Sequence, residues 1–297
     1  MNDPRPIGLF DSGVGGLTVM REVWRRLPGE STIYVGDSAR TPYGTRHERE
    51  VISYSEEIAD YLVARGAKAI VVACNTASAL ALQALRRRHP TTPIVGVVRP
   101  GATAAALATR TGHIGVLATQ ATVQSGAYFA AIKEESPAAV IEERGASELV
   151  PLIESGELDS PRLDAAIAEV LAPLRAHSGG WRIDTLLLGC THFPLVRAAF
   201  ARTLGESVAI VDAAAAAAAG LADVVAVNRL DAPGSTRGTA ADAGRLGHEA
   251  PAQAMVAPTR EILTTGDAAA VTALAGRLFS SAEMVAEHLD LASQGDQ

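Results

Sequence analysis

The sequence predicts an α/β chain built on a doubly wound parallel sheet, or on two of them. Three observations lead there. Short apolar runs alternate with stretches of helical periodicity over most of the length. Most of these runs are continuous, as expected of strands covered on both faces by crossover helices. The 297 residues, 48% hydrophobic and only 20% charged, are enough to bury cores on both faces and exclude a disordered chain.

In order, Ile7 to Phe10 reads as the first strand, and the next segment carries Leu17, Met20, Trp24 and Leu27 on one helical face. Thr32 to Val35 follows, then a helix with Val51, Ser55, Ile58 and Leu62 in register. Further strands fall at Ala69 to Ala73, Ile94 to Val98, Ile114 to Leu117, Ala139 to Glu142, Thr185 to Leu188 and Val208 to Val211. Pro100-Gly101 ends one run and Gly205 to Ser207 leads into another. A second lobe is therefore expected over 99–207, with the first lobe made of 1–98 and 208–297. The alanines at 213–219 read as helix, because Ala is the best helix former. Asn228 to Pro258, rich in Gly, Ala, Pro and Thr, reads as a long surface loop, followed by a strand at Glu261 to Thr265 and a helix at Asp267 to Phe279.

Composition narrows the function. With 26 basic and 33 acidic residues the net charge is −7, which repels phosphate backbones, and 4% aromatics offer little base stacking; nucleic acid is not the expected partner. No apolar stretch approaches the roughly 18 residues of a membrane span, and the N-terminus lacks a basic region followed by an apolar one. A cytoplasmic protein without membrane contacts is expected. The two cysteines read as thiols before a disulfide. The only lysines, Lys68 and Lys133, lie before a strand and in a polar stretch, so a pyridoxal phosphate Schiff base is not expected.

The two cysteines share a context, AIVVACNTAS around Cys74 and TLLLGCTHFP around Cys190. Each closes a strand through one small residue and precedes Thr, Asn or His at the mouth of a helix. Ligands of open α/β sheets bind at the carboxyl ends of strands, so both thiols should face a site, and a helix N-terminus should favour their thiolates. Metal is weakly supported, since neither CxxC nor HxxxH occurs; a thioredoxin-like pair is equally weak with the cysteines 116 residues apart. GLFDSGVGGLTV places Asp11 and Ser12 at another strand end with a glycine-rich turn suited to an anion, without the pattern of a nucleotide loop. VGDSARTPYG carries Asp37, Arg40, Pro42, Tyr43 and Gly44 on a loop that taken alone is an ordinary turn. VLATQATV offers the hydroxyls of Thr119 and Thr122, either to a carboxylate or as helix caps. Two opposed thiols beside anion-binding loops suit inversion at an α-carbon, one thiol removing a proton from one face while the other returns a proton to the opposite face.

At these residues the chain resembles the glutamate racemases, within the cofactor-independent aspartate/glutamate racemase superfamily. The matching blocks are GLFDSGVGGLTV, GDSARTPYG, ACNTAS, GVLAT, ELVPLIESGE, LLLGCTHFPL and a TTGD segment near the end, spread over about residues 7 to 280. The resemblance implies two doubly wound parallel-sheet α/β domains with the active site at their interface. It implies no cofactor and no metal, and Cys74 and Cys190 as the two acid/base thiols, helped by Asp11, His192 and Glu154. Asp11, Ser12, Tyr43, Gly44, Asn75, Thr76, Thr191 and His192 would contact the substrate, with Pro42 and Thr119 beside them. The implied partner is a small molecule, L- or D-glutamate, the implied role is D-glutamate supply for peptidoglycan, and the implied assembly is a homodimer. The alternatives are a sister racemase acting on aspartate or another amino acid, a gyrase-inhibiting binding protein, and a redox sensor closing a Cys74 to Cys190 disulfide.

Overall fold

The computed structural model describes residues 3–176, 180–233, 257–279 and 284–291. Ten strands are found among them: β1 (Ile7–Asp11), β2 (Thr32–Gly36), β3 (Ala69–Val72), β4 (Ile94–Gly96), β5 (His113–Ala118), β6 (Val140–Gly145), β7 (Thr185–Gly189), β8 (Ala209–Asp212), β9 (Arg260–Thr264) and β10 (Ala286–His288). They form two sheets, ordered β10-β9-β2-β1-β3-β4 and β6-β5-β7-β8, with every pairing parallel. Among the described residues no helix is long and apolar enough to cross a membrane.

The period-two geometry of the strands splits each sheet's side chains between two cores. In the first sheet Ile7, Leu9 and Val71 face a cluster with Met20 and Trp24 of the helix Leu17–Arg26, while Phe10, Ile70 and Val72 face one with Ile58 and Leu62 of the helix Glu48–Ala64. In the second sheet Leu186 and Leu188 pack toward the helices Pro161–Leu171 and Arg197–Leu204, and Val116 and Leu187 toward Val98–Ala108 and Ala127–Glu135. The alanine tract is helical as expected, over Ala214–Val227, and its small side chains Ala217 and Ala218 are buried in the first core.

Three local expectations change. Ile94 to Val98 is strand only to Gly96, and Pro100-Gly101 does not end it: both sit in the opening turn of the helix Val98–Ala108, where proline's missing N–H costs no hydrogen bond. The strand Ala209–Asp212 pairs with β7, so the chain returns to the first sheet after Asp212 and not at 207. Gly205 to Ser207 lead into the last strand of the second sheet. β10 was not foreseen, because Ala-Glu-His carries no strand pattern. Of the expected loop at 228–258, residues 234–256 lie outside the described residues.

Candidate active site

The carboxyl ends of β1, β3 and β7 converge. Cys74 caps the helix Asn75–Leu80, its Sγ accepting from the Ala77 N–H at 3.5 Å while its thiol donates to Ser12 Oγ at 3.6 Å. Cys190 follows β7, and its Sγ is 3.7 Å from Nδ1 of His192. One cavity, about 270 Å³ with the open solvent at its mouth included, is lined by Ser12, Pro42, Tyr43, Gly44, Cys74, Asn75, Thr76, Thr119, Val150, Cys190, Thr191 and His192. Every residue that the resemblance assigns to the site is therefore on its wall except Asp11 and Glu154, which stand behind it, while Asp37, Arg40 and Thr122 do not line it; Val150, an apolar residue of the ELVPLIESGE block, is the one addition.

Asp11 is fully buried and accepts from the Gly16 N–H at 2.9 Å and from Thr191 Oγ1 at 3.2 Å. The glycine-rich turn is thus occupied by the chain's own carboxylate, joining the end of β1 to the loop after β7. Burial pushes the Asp11 carboxyl above its usual range, against the pull of His192 and these donors. Glu154, at the end of the helix Leu149–Glu154, has Oε1 3.0 Å from Nε2 of His192 and accepts from Thr41 Oγ1 at 3.3 Å. Burial opposes a charge on the imidazole, yet contact with Cys190, the Glu154 hydrogen bond and the nearby Asp11 charge together hold His192 well above the usual histidine range. As imidazolium both ring nitrogens donate, one to Glu154 and one toward Cys190 Sγ. Glu154 in turn is held below its usual range by His192, with burial working the other way.

Cys74 departs from the expectation of a thiolate at a helix mouth. Burial, reinforced by the Asp11 charge, pushes its thiol up to about 12, and the Ala77 and Ser12 hydrogen bonds do not offset this. The helix behind it is only six residues long, and one weak N–H to sulfur bond is a small gain beside the desolvation of a fully enclosed sulfur. Cys74 rests as a neutral thiol at neutral pH.

The layers of the two sheets meet here through hydroxyls and glycine. Thr76 Oγ1 lies 2.9 Å from Thr119 Oγ1 and 3.1 Å from Thr122 Oγ1, and Thr119 and Thr122 are 2.9 Å apart, so Thr119 both caps the helix Gln120–Gln124 and reaches across the cleft. Gly44 admits this approach, since a Cβ there would stand 2.5 Å from Thr119 Cβ. The loop bearing Gly44 is more than an ordinary turn. Asp37, fully buried, accepts from Arg40 Nε at 2.7 Å, from Thr265 Oγ1 at 2.8 Å and from the Tyr43 hydroxyl. A carboxylate directly after a strand, as at Asp11, was the available signal for this anchor.

Neither lysine reaches the cavity: Lys68 Nζ is paired with Glu30 at 2.5 Å and Lys133 Nζ donates to the Pro137 and Ala139 carbonyls. Among the described residues no three His, Cys, Asp or Glu side chains are arranged to hold a metal ion. What the cavity offers is two sulfurs from different sheets, a charged imidazole, and neutral hydroxyl and amide donors.

Comparison with known proteins agrees with this geometry. Residues 7–221 match the Asp/Glu/Hydantoin racemase family. The chain is 44% identical over 276 residues to the glutamate racemase of Beutenbergia cavernae, covering 92% of this chain and 89% of that protein. It is 48% identical over 210 residues to that of Desulforudis audaxviator, covering 71% and 75%. Among solved structures it is similar to glutamate racemase isoform RacE1 from Bacillus anthracis, with a TM-score of 0.83 at 34% identity over 96% of this chain and 97% of that one. It is also similar to the Francisella tularensis glutamate racemase in complex with D-glutamate, with a TM-score of 0.81 at 27% identity over 98% and 99%. The chain belongs to the Asp/Glu/Hydantoin racemase family and, within it, to the glutamate racemases.

Proposed function

We propose that this protein interconverts L- and D-glutamate with Cys74 and Cys190 as its two acid/base groups and with no cofactor. The observation that carries the reading is that two thiols, 116 residues apart and on the ends of different sheets, line one small cavity. With L-glutamate, the Cys190 sulfur takes the α-proton, the electron pair moves into the α-carboxylate as an enolate-like carbanion, and the Cys74 S–H returns a proton to the opposite face. D-glutamate runs the same steps in reverse. Ser12, Asn75, Thr76 and Thr119 supply neutral donors to the carboxylates, Thr191 lines the wall with its hydroxyl given to Asp11, and the anchored Pro42, Tyr43 and Gly44 loop closes one wall. His192, oriented by Glu154, steadies charge at Cys190, and Asp11 ties the end of β1 to the loop that carries Cys190.

On this reading the two sheets are two domains, the second running from about 99 to 212, and the substrate sits between them. The protein would work in the cytoplasm as a homodimer and supply D-glutamate for peptidoglycan. The test is incubation of L-glutamate in D2O with protein dialysed free of metal and pyridoxal phosphate. Optical rotation should decay to zero with deuterium entering the α-position; a requirement for either cofactor, or no racemisation, overturns the reading.

A further inference from the structure

Asn75 opens the helix after Cys74, is 4% exposed, and borders both the thiol cavity and a second space of about 220 Å³ behind it. A side-chain amide presents an acceptor at one end and two donors at the other, and which end faces a ligand decides whether a carboxylate is attracted or repelled. In Asn75 the choice is made by a residue of the other sheet's layer. Tyr128, fully buried on the helix Ala127–Glu135, donates its hydroxyl to Asn75 Oδ1 at 2.5 Å. Burial pushes the phenol far above its usual range, so its proton is there to give.

The alternative arrangement is costly. Were the amide turned over, the phenol oxygen would accept from Nδ2, and its own proton, which has no other acceptor among the described residues, would be left unbonded in the interior. Nδ2 itself has no protein partner among the described residues. The ring is seated with little room: a Cβ on Gly189, the residue before Cys190, would stand 2.9 Å from it.

We propose that Tyr128 is a positioning residue that holds the Asn75 amide with its N–H groups toward the substrate, so that a residue of the second lobe sets a carboxylate donor of the first. The proposal rests on the glutamate racemase reading.

Tyr128→Phe keeps the ring and removes only the hydroxyl. The expected result is a KM for both enantiomers raised about tenfold, equivalent to ~1.4 kcal/mol, with kcat changed less than about threefold. Placed on Asn75→Ala, the same substitution should add nothing further, because the group it orients is gone. An unchanged KM with a lowered melting temperature, or additive effects in the double variant, overturns the role of Tyr128. If Tyr128→Phe folds poorly, Asn75→Asp tests the same geometry: with Tyr128 holding one oxygen, the other faces the substrate, and KM should rise above that of Asn75→Ala; an equal KM overturns the proposal. Wild-type racemisation measured in the same series separates the two readings. An active wild type with unaltered Tyr128→Phe kinetics removes only Tyr128, whereas an inactive wild type removes both.

Discussion

Cys190 Sγ lies 3.7 Å from His192 Nδ1, two residues away, and the far nitrogen of the same ring is 3.0 Å from Glu154. Cys74 is instead hydrogen-bonded to a neutral hydroxyl and a backbone N–H, with the Asp11 carboxyl close by. The two thiols are therefore held differently, one beside a cation and one by neutral hydrogen-bond partners, although the proposed reaction is symmetric in its energetics.

That symmetry constrains the effect of His192→Asn. Loss of the imidazolium should slow racemisation by roughly 10²-fold or more. Because the enantiomers have equal free energy, kcat/KM must fall by the same factor for both, while kcat and KM separately need not. Progress curves from each enantiomer check this; a large fall confined to one direction of kcat/KM would mean that the assay, or the assignment of a single site, is wrong.

Cys74→Ala and Cys190→Ala should each lower racemisation by orders of magnitude in both directions, since in the proposed mechanism each thiol is base one way and acid the other. The surviving thiol still faces its own enantiomer. Cys190→Ala should wash the α-proton of D-glutamate into D2O with retention faster than that of L-glutamate, and Cys74→Ala the reverse. Near wild-type racemisation by both variants would return the cysteines to the core.

Alkylation reads the protonation of Cys74 directly. A thiol pushed up to about 12 is neutral across the neutral range, so the thiolate fraction, and with it carbamidomethylation by iodoacetamide, should rise about tenfold per pH unit from pH 7 to 10. Glutamate should slow it. Asp11→Asn removes a charge that disfavours the thiolate, and should speed labelling of Cys74 at a given pH. Peptide mass spectrometry gives the rates; a plateau below pH 8 would contradict the burial argument.

Asp184 offers a stability test away from the site. Its carboxylate accepts from Thr109 Oγ1 at 2.6 Å, the Arg110 N–H at 2.7 Å, and the Thr111 N–H and Oγ1 at 2.6 and 2.9 Å, fastening the turn before β5. Although burial opposes its charge, these donors hold it well below the usual carboxylate range. Asp184→Ala should cost about 2–3 kcal/mol. Since the folded form is the stronger acid, the stabilisation is present above the unfolded value of about 4 and is lost as pH falls through the folded one. Melting curves of wild type and variant should therefore differ by a constant amount from pH 5 to 8 and converge in acid.

Much of this protein is written in local pattern. A run such as Ala69 to Ala73 or Thr185 to Leu188 is apolar because both faces of a parallel strand are covered, and that need is met residue by residue, so strands, helices and the strand ends carrying Asp11, Cys74 and Cys190 can be read without coordinates. Even the alanine tract announces its helix. Tertiary structure alone decided that Ala209–Asp212 joins the second sheet, that Glu154 meets a histidine 38 residues on, and that Asp37 gathers Arg40, Tyr43 and Thr265. It alone brought Tyr128 to Asn75 and enclosed Cys74 so completely that desolvation outweighs its helix cap. The reason is physical: periodicity and turn chemistry act over a few residues, whereas the ionisation of a thiol and the orientation of an amide depend on what packs against them from elsewhere in the chain, here the meeting of two separately built sheets.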